Sequence, residues 1–394
     1  MARKRLRVLH VTDTLGMGGA ETWIMELLRR WSSGSDVELD ILLTSANDGI
    51  FDNEARALGA RTFYVKYSRA TLQHFVAEFR RILRAGRYDA IHDHQDYASG
   101  WHYLLGARAL PPVRVTHVHN PWLNIAVQYQ VSWSRRATAR LGRSLVRRLA
   151  TNVCGTSSDA LRRYGFEPNG REGPQVSVAH CGFDVSKFNG PRDGDRRSVR
   201  DEFGWPDDTT IVLFGGRLDR ALEFDNPANH KNSWFALNVV RAALERSPSV
   251  RLLMAGAGDE ARARLEREIR AWGVEDQLRL IGVRLDMSRL MRASDVLLFP
   301  SREEGLGMVA VEAQAAGLPV LASTAVPAES VVIPELYDKL PLDGRVDEWV
   351  QALLARISKP RPPLDECRRR VEASAFSIEN SAARLEAIYA GVSP

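Results

Sequence analysis

Short apolar runs alternate with helical patterns along the whole chain, and this alternation leaves few architectures open. The runs Leu6–Thr12, Val37–Leu43, Thr62–Val65, Ala90–His92, Val113–Val118, Asn152–Cys154 and Val176–Ala179 are separated by amphipathic stretches such as Glu21–Trp31 and Leu72–Leu83. The pattern restarts with Ile211–Phe214, Arg251–Met254, Arg279–Ile281, Val296–Phe299 and Val320–Ala322. Continuous rather than alternating apolar runs suit strands covered on both faces, and strands alternating with helices imply parallel, doubly wound sheets. The polar stretch Asn189 to Arg200 reads as a linker, and Phe376 to Tyr389 as a further helix. The predicted fold is α/β with two Rossmann-like halves in series: 1–188, 189–375 and a closing helical segment 376–394. A chain of 394 residues can give each half a core of its own.

The stretch DVLLFPSREEGLGMVAVEAQAAGLPVLAS, Asp295 to Ser323, carries the most chemistry. Val296–Phe299 reads as a buried strand, and Glu303, Glu304 and Gly305-Leu306-Gly307 as a loop. A helix from Met308 to Ala316 follows, ended by Gly317 and Pro319. A strand, a glycine loop and a helix N-terminus together make an anion site, because unpaired N–H groups and the positive dipole end converge there. Glu312 stands among Val309, Ala310, Val311, Ala313, Ala315 and Ala316. A helix apolar nearly all round is predicted to be buried, and a carboxylate on it needs partners such as the two hydroxyls of a ribose. The alternative is a capping acid plus one partly exposed glutamate.

Glu304, seven residues, then Glu312 followed by Ala and an A-x-G-x-P-V ending resembles the nucleotide-sugar site of retaining glycosyltransferases of the GT-B fold, family 4. The resemblance implies two Rossmann-like domains facing a cleft, with the C-terminal helix crossing back to the first domain. It also implies transfer of a sugar from a nucleoside diphosphate donor, a UDP-sugar being expected, to an acceptor hydroxyl with retention. No cofactor and no metal are implied.

The same resemblance assigns further residues. Leu213-Phe214-Gly215-Gly216-Arg217 is similar to the family's strand-Gly-Arg element, which makes Arg217 a diphosphate ligand and Gly216 a donor contact. The partner lysine is Lys231, displaced by an insertion that carries Asp219, Arg220, Glu223 and Asp225. Preorganised cations suit a pyrophosphate that gains charge as it leaves. In the first half, Gly16-Met17-Gly18-Gly19 resembles the family's glycine loop, with Gly18 and Gly19 near the donor. His119, in His117-Val118-His119-Asn120, matches the family's histidine directed at the donor sugar. Val283 and Arg284 match backbone contacts to the nucleobase, and Gly305, Leu306, Gly307 and Met308 the donor loop. Arg217, Lys231, Glu304 and His119 are the expected catalytic residues. The segment Cys181-Gly182-Phe183-Asp184 through Phe188 resembles the family's interdomain element.

Composition sets the remaining bounds. No apolar run approaches 18 residues, and three scattered cysteines fit a reducing cytoplasm better than a disulfide framework. The net charge of +5 is unevenly placed: Tyr97 to Ser158 holds no acid and eight arginines. Arg136, Arg140, Arg143 and Arg147 follow one helix face, with Trp133, Ala137, Leu141 and Leu145 on another. Such a helix suits an anionic membrane surface or a phosphate-bearing, lipid-linked sugar acceptor, against the plainer reading of a solvated helix. A peripheral position on the inner membrane face would follow. Nucleic acid is not indicated, since no recognition motif or aromatic ladder accompanies the arginines. His92-Asp93-His94-Gln95-Asp96 lacks a metal-ligand spacing. Gly256-Ala257-Gly258-Asp259 reads as a tight strand-to-helix turn. A dinucleotide enzyme is disfavoured, because the first glycine loop is not G-x-G-x-x-G and Leu43-Thr44-Ser45 offers no ribose acid. Natural-product glycosylation and a nucleotide-sugar 2-epimerase are the alternatives within the fold.

Overall fold

The computed structural model describes residues 5–120, 132–167, 173–223, 226, 228–343 and 345–392. The chain divides into two compact units, Met1–Asp184 with Ala375–Pro394, and Val185–Ser374. In the first, seven parallel strands, β1 (Leu6–Thr12), β2 (Val37–Leu43), β3 (Thr62–Tyr64), β4 (Ala90–Asp93), β5 (Val113–Val118), β6 (Asn152–Gly155) and β7 (Gln175–Val178), lie in the order 3-2-1-4-5-6-7. The second holds β8 (Thr210–Gly215), β9 (Val250–Ala255), β10 (Leu278–Gly282), β11 (Val296–Phe299), β12 (Val320–Ser323) and β13 (Tyr337–Leu340) in the order 10-9-8-11-12-13. Each sheet reverses its strand order once, between β1 and β4 and between β8 and β11. Ligands of open α/β sheets gather at the carboxyl ends beside such a reversal.

The apolar runs form strands because both sheet faces are covered: Ile211 to Phe214 and Val296 to Phe299 are all buried. Phe75, Phe79 and Tyr103 fill one core, and Leu237, Leu252 and Trp349 the other. β13 was not predicted; Tyr337-Asp338-Lys339-Leu340 is half polar, and pairing with β12 in parallel register makes it an edge strand.

One expectation needs correction. The polar stretch read as a linker folds into a helix, Arg192–Phe203. Pro191 precedes it, Asp193 and Asp195 stand in its first turn, and Gly204 closes it with φ of 68°. Its charges are spent in ion pairs, Arg196 with Asp295 at 2.6 Å and Asp195 with Arg292 at 2.5 Å. The basic helix, Trp133–Leu149, forms as expected, with Trp133 and Leu141 of its apolar stripe facing outward. Trp133 is 81% exposed and Leu141 51%, while Ala139, Gly142 and Val146 are buried. Small residues decide this, since a Cβ on Gly100 of helix Ala98–Gly106 would lie 2.2 Å from the Gly142 carbonyl oxygen. The two backbones cross too closely for larger side chains.

The helix Ile378–Tyr389 rejoins the first unit. Trp23 donates to Ser381 Oγ at 3.0 Å and Trp31 to Glu386 Oε1 at 2.7 Å. Phe183 and Phe376–Ile378 exchange backbone hydrogen bonds of 3.0 Å, and a Cβ on Gly182 would lie 2.6 Å from the Ser377 oxygen.

Candidate active site

In the second unit the predicted residues meet at the β8/β11 reversal. β8 delivers Gly215, Gly216 and Arg217, and the loop after β11 delivers Glu304. Lys231 Nζ lies 2.6 Å from Glu304 Oε1, with the carboxylate side chain only 8% exposed. The inserted stretch holds this arrangement together. Buried Asp219 accepts from the Arg217 guanidinium at 3.0 and 3.2 Å and, through its other oxygen, from the Lys231 backbone N–H at 2.6 Å. Asn229 accepts from Asn232 N–H at 3.1 Å, and His230 O accepts from Arg302 N–H at 2.7 Å, which fixes the Lys231 loop from both sides. Burial lowers the His230 pKa, partly offset by Asp219. Asp225 of the insertion lies outside the described residues.

Gly305, Leu306, Gly307 and Met308 lead into helix Met308–Ala315. Gly307 adopts φ of 89°, and a Cβ there would lie 2.9 Å from a Phe299 ring carbon, so the loop requires glycine. Val309 lies against the end of β8, 3.0 Å from where a Gly215 Cβ would stand. The helix N-terminus thus adjoins Gly215. Along that helix Ala310, Val311 and Ala313 are buried as predicted, and Glu312 is half-buried. Val283 is 48% exposed at the end of β10. The Arg284 guanidinium is held by Asp286 at 2.8 Å and Glu202 at 2.7 Å, so its backbone rather than its side chain is left to serve a base. Arg284, foremost, and Arg289 hold the Asp286 carboxyl well below the usual carboxylate range.

The expectation for Gly256 understated its role. Gly256 N–H donates to Gly282 O at 2.8 Å, and a Cβ on Gly256 would fall 1.9 Å from the Gly216 carbonyl oxygen. The loop after β8 is therefore packed backbone to backbone against the loop after β9.

In the first unit Gly18 precedes helix Gly19–Ser32, and a Cβ on it would meet Glu21 Oε2 at 2.0 Å, whereas one on Gly19 would meet nothing within 4 Å. His119 ends β5, half-buried, and does not stand alone. His94 Nδ1 lies 2.9 Å from His119 Nε2, and His94 Nε2 3.0 Å from His10 Nδ1. Tyr389 Oη lies 3.0 Å from His10 Nε2 and 2.5 Å from His92 Nδ1, and His92 Nε2 is 3.1 Å from His117 Nδ1. Five imidazoles and one phenol form a single string at the β1/β4 reversal. Trp23 lies edge-on over it, 4.9 Å from the His117 ring. Burial lowers the pKa of each ring, to about 3 for His10 and His119. Asp93, between His92 and His94, points to the opposite side as strand alternation requires, accepting from His102 at 2.7 Å and Ser99 at 2.8 Å. Two triplets, His10-His92-His94 and His94-His117-His119, bring imidazole nitrogens within 4.8 Å of one another. Sequence spacing did not suggest this, because the histidines come from three separate strands.

Comparisons with known proteins agree with this geometry. The model for glycosyl transferases group 1 matches residues 210–358, and that for glycosyltransferase family 4 matches 17–187, one in each unit. The chain belongs to the group 1, family 4 glycosyltransferases. It is 28% identical over 394 residues to the putative glycosyltransferase EpsF of Bacillus subtilis, covering 99% of this chain and 97% of that protein. It is also 28% identical over 345 residues to D-inositol 3-phosphate glycosyltransferase 2 of Catenulispora acidiphila, covering 80% and 76%. Its fold is similar to Anabaena Alr3699/HepE, solved in complex with UDP, with a TM-score of 0.74 at 18% identity over 98% of this chain and 100% of that one. Sucrose-phosphate synthase from Thermosynechococcus elongatus gives 0.73 at 22% identity, covering 98% and 99%. The chain has the two Rossmann-like domains of the GT-B fold.

Proposed function

We propose that this glycosyltransferase moves a sugar from a nucleoside diphosphate donor, a UDP-sugar, to an acceptor hydroxyl with retention at the anomeric carbon. The observation that carries this is the clamp in which Asp219 joins Arg217 to Lys231 while Lys231 pairs with Glu304 at 2.6 Å. One protein of similar fold, Anabaena Alr3699/HepE, has been solved with UDP and with UDP-glucose, which supports the choice of donor. As the bond from the anomeric carbon to the phosphate oxygen breaks, charge collects on the leaving diphosphate. Arg217, Lys231 and the N–H groups after Gly307 stabilise it most at that point. The acceptor oxygen forms the new bond on the same face, and its proton passes to the leaving diphosphate. These cations supply the positive charge without a bound metal, and Glu312 takes the ribose hydroxyls. In the first unit, His119 meets a sugar hydroxyl.

The acceptor is a sugar joined to a lipid phosphate. Support comes from the basic helix, where exposed Trp133 and Leu141 lie among Arg136, Arg140 and Arg147 on the surface. No helix among the described residues is long and apolar enough to cross a membrane, so contact through this face would be peripheral.

The test is a panel of nucleotide sugars read by release of free nucleoside diphosphate, with the product anomer assigned by NMR. UDP release with retention is expected, and Glu312→Ala should weaken UDP binding on the order of tenfold in a calorimetric titration. Inversion, or unchanged UDP affinity in Glu312→Ala, would refute the respective assignments.

A further inference from the structure

The histidine string has a direction, and that direction decides what His119 offers. Every link joins a nitrogen or oxygen that must donate to one that must accept, and a neutral imidazole carries one of each. Tyr389 has a single proton, so it donates to either His92 or His10 and accepts from the other. Only two arrangements satisfy all five links. In one, every ring is protonated on Nε2; in the other, every ring is protonated on Nδ1.

One observation chooses between them. The Tyr389–His92 separation is 2.5 Å and the Tyr389–His10 separation 3.0 Å. Hydroxyl donors give the shorter contacts and N–H donors the longer, so Tyr389 donates to His92 and accepts from His10. At the far end no described group reaches His117 Nε2 within normal hydrogen-bond geometry. In the arrangement so chosen His117 Nε2–H is the one donor of the string that meets no described partner.

We infer that Tyr389, through His10 and His94, is a positioning residue that locks His119 as the Nε2-protonated tautomer, leaving a bare Nδ1 at the half-buried end to accept a hydrogen bond from a sugar hydroxyl. His119 Nε2–H donates to His94, His94 to His10, His10 to Tyr389, Tyr389 to His92, and His92 to His117. Burial keeps the rings neutral, which the string requires. A metal ion fits less well. His92 with His94 and His117 with His119 are stacked, at interplanar angles of 29° and 17°, so their in-plane lone pairs run side by side instead of converging. The hydroxyl partner rests on the reading of His119 given above, whereas the tautomer does not.

The experiment is a long-range ¹H–¹⁵N correlation spectrum of the imidazoles of the free, full-length protein at pH 7, with metal content measured on the same sample. The expected pattern is five neutral rings, each protonated on Nε2, and less than stoichiometric metal. Nδ1 protonation of His119, a charged ring in the string, or ring nitrogens bound to stoichiometric zinc would overturn the inference. Tyr389→Phe should leave His119 a mixture of tautomers and lower kcat about tenfold with KM for the donor little changed. An unaltered His119 signal in that variant would equally overturn it. If the variant does not fold, the wild-type spectrum alone decides. A correct spectrum with no glycosyl transfer would sink the functional reading and leave the string standing.

Discussion

Asp219 bonds the Arg217 guanidinium through one carboxylate oxygen and the Lys231 backbone N–H through the other, at 3.0 and 2.6 Å. An acid that holds one guanidinium by its side chain and a lysine by its backbone acts as the spacer between the two residues. It fixes their separation before any ligand arrives, so no reorganisation is needed when charge develops.

Asp219→Ala should therefore cost turnover on the order of 10²-fold, comparable to Arg217→Ala or Lys231→Ala. Because the residues act as one unit, Arg217→Ala with Asp219→Ala should lose little more than either alone. Steady-state kinetics of the three variants and the double variant would show it. Fully additive losses would mean that Asp219 supports the fold rather than the clamp.

Gly256→Ala places a Cβ 1.9 Å from the Gly216 carbonyl, and backbone at that position has no rotamer with which to yield. The strain should destabilise the second unit by about 1–3 kcal/mol. Turnover should fall although Gly256 bears no side chain to touch a ligand. Urea unfolding alongside kinetics checks both. Gly204→Ala, at φ of 68° with nothing within 4 Å, serves as the control for left-handed backbone without crowding.

The string makes stability depend on acid. His10 and His119 have folded pKa values of about 3 against 6.5 unfolded, and the other three rings shift the same way. Between those values the unfolded chain binds more protons, so stability rises with pH and is complete above about 6.5. Asp96 opposes this, since burial raises its carboxyl to about 7 and its contribution declines as pH rises from 3.8. Five rings outweigh one carboxyl. Unfolding free energies from urea titrations at pH 7 and pH 5 should differ by at least about 2 kcal/mol, with the loss on the acid side. A flat profile would show the rings to be charged or solvated.

Membrane contact should depend on Trp133 and Leu141 more than on the whole arginine face. Arg143 donates to Tyr164 O at 3.2 Å and Arg147 to Gly165 O at 2.6 Å, so both already serve the end of helix Ser158–Tyr164. Trp133→Ala with Leu141→Ala should reduce pelleting with anionic vesicles about tenfold or more, and Arg136→Gln with Arg140→Gln should reduce it and weaken its salt dependence. Wild-type protein that stays in the supernatant at low salt would refute membrane docking.

Much of this was legible in the residues. Continuous apolar runs predicted twelve of the thirteen strands, because burial on both faces leaves no polar position to blur the pattern. β13 escaped because an edge strand is half polar. The loop and helix after β11 were readable because their glycines and acids are contiguous from Glu304 to Glu312. Asp219 and Gly256 were not, since one works by bridging residues across an insertion and the other by having no side chain. The helix at Arg192–Phe203 was mistaken for a linker because charge density mimics solvation, whereas here the charges face one another. The string was hidden for a different reason. The five histidines sit at alternate positions in or just after three strands, and only the β1/β4/β5 adjacency brings them together.

Tyr389, Ser381 and Glu386 are hydrogen-bonded to Trp23, Trp31, His10 and His92, side chains translated some three hundred residues earlier. During synthesis the first unit must therefore wait, its two tryptophans and its histidine row uncovered, until the entire second unit has left the ribosome. Residues 185–374 can close their own sheet in the meantime. The domain begun first is the one completed last, and a nascent chain stalled anywhere before residue 378 would display an unfinished apolar face to the chaperones that attend it.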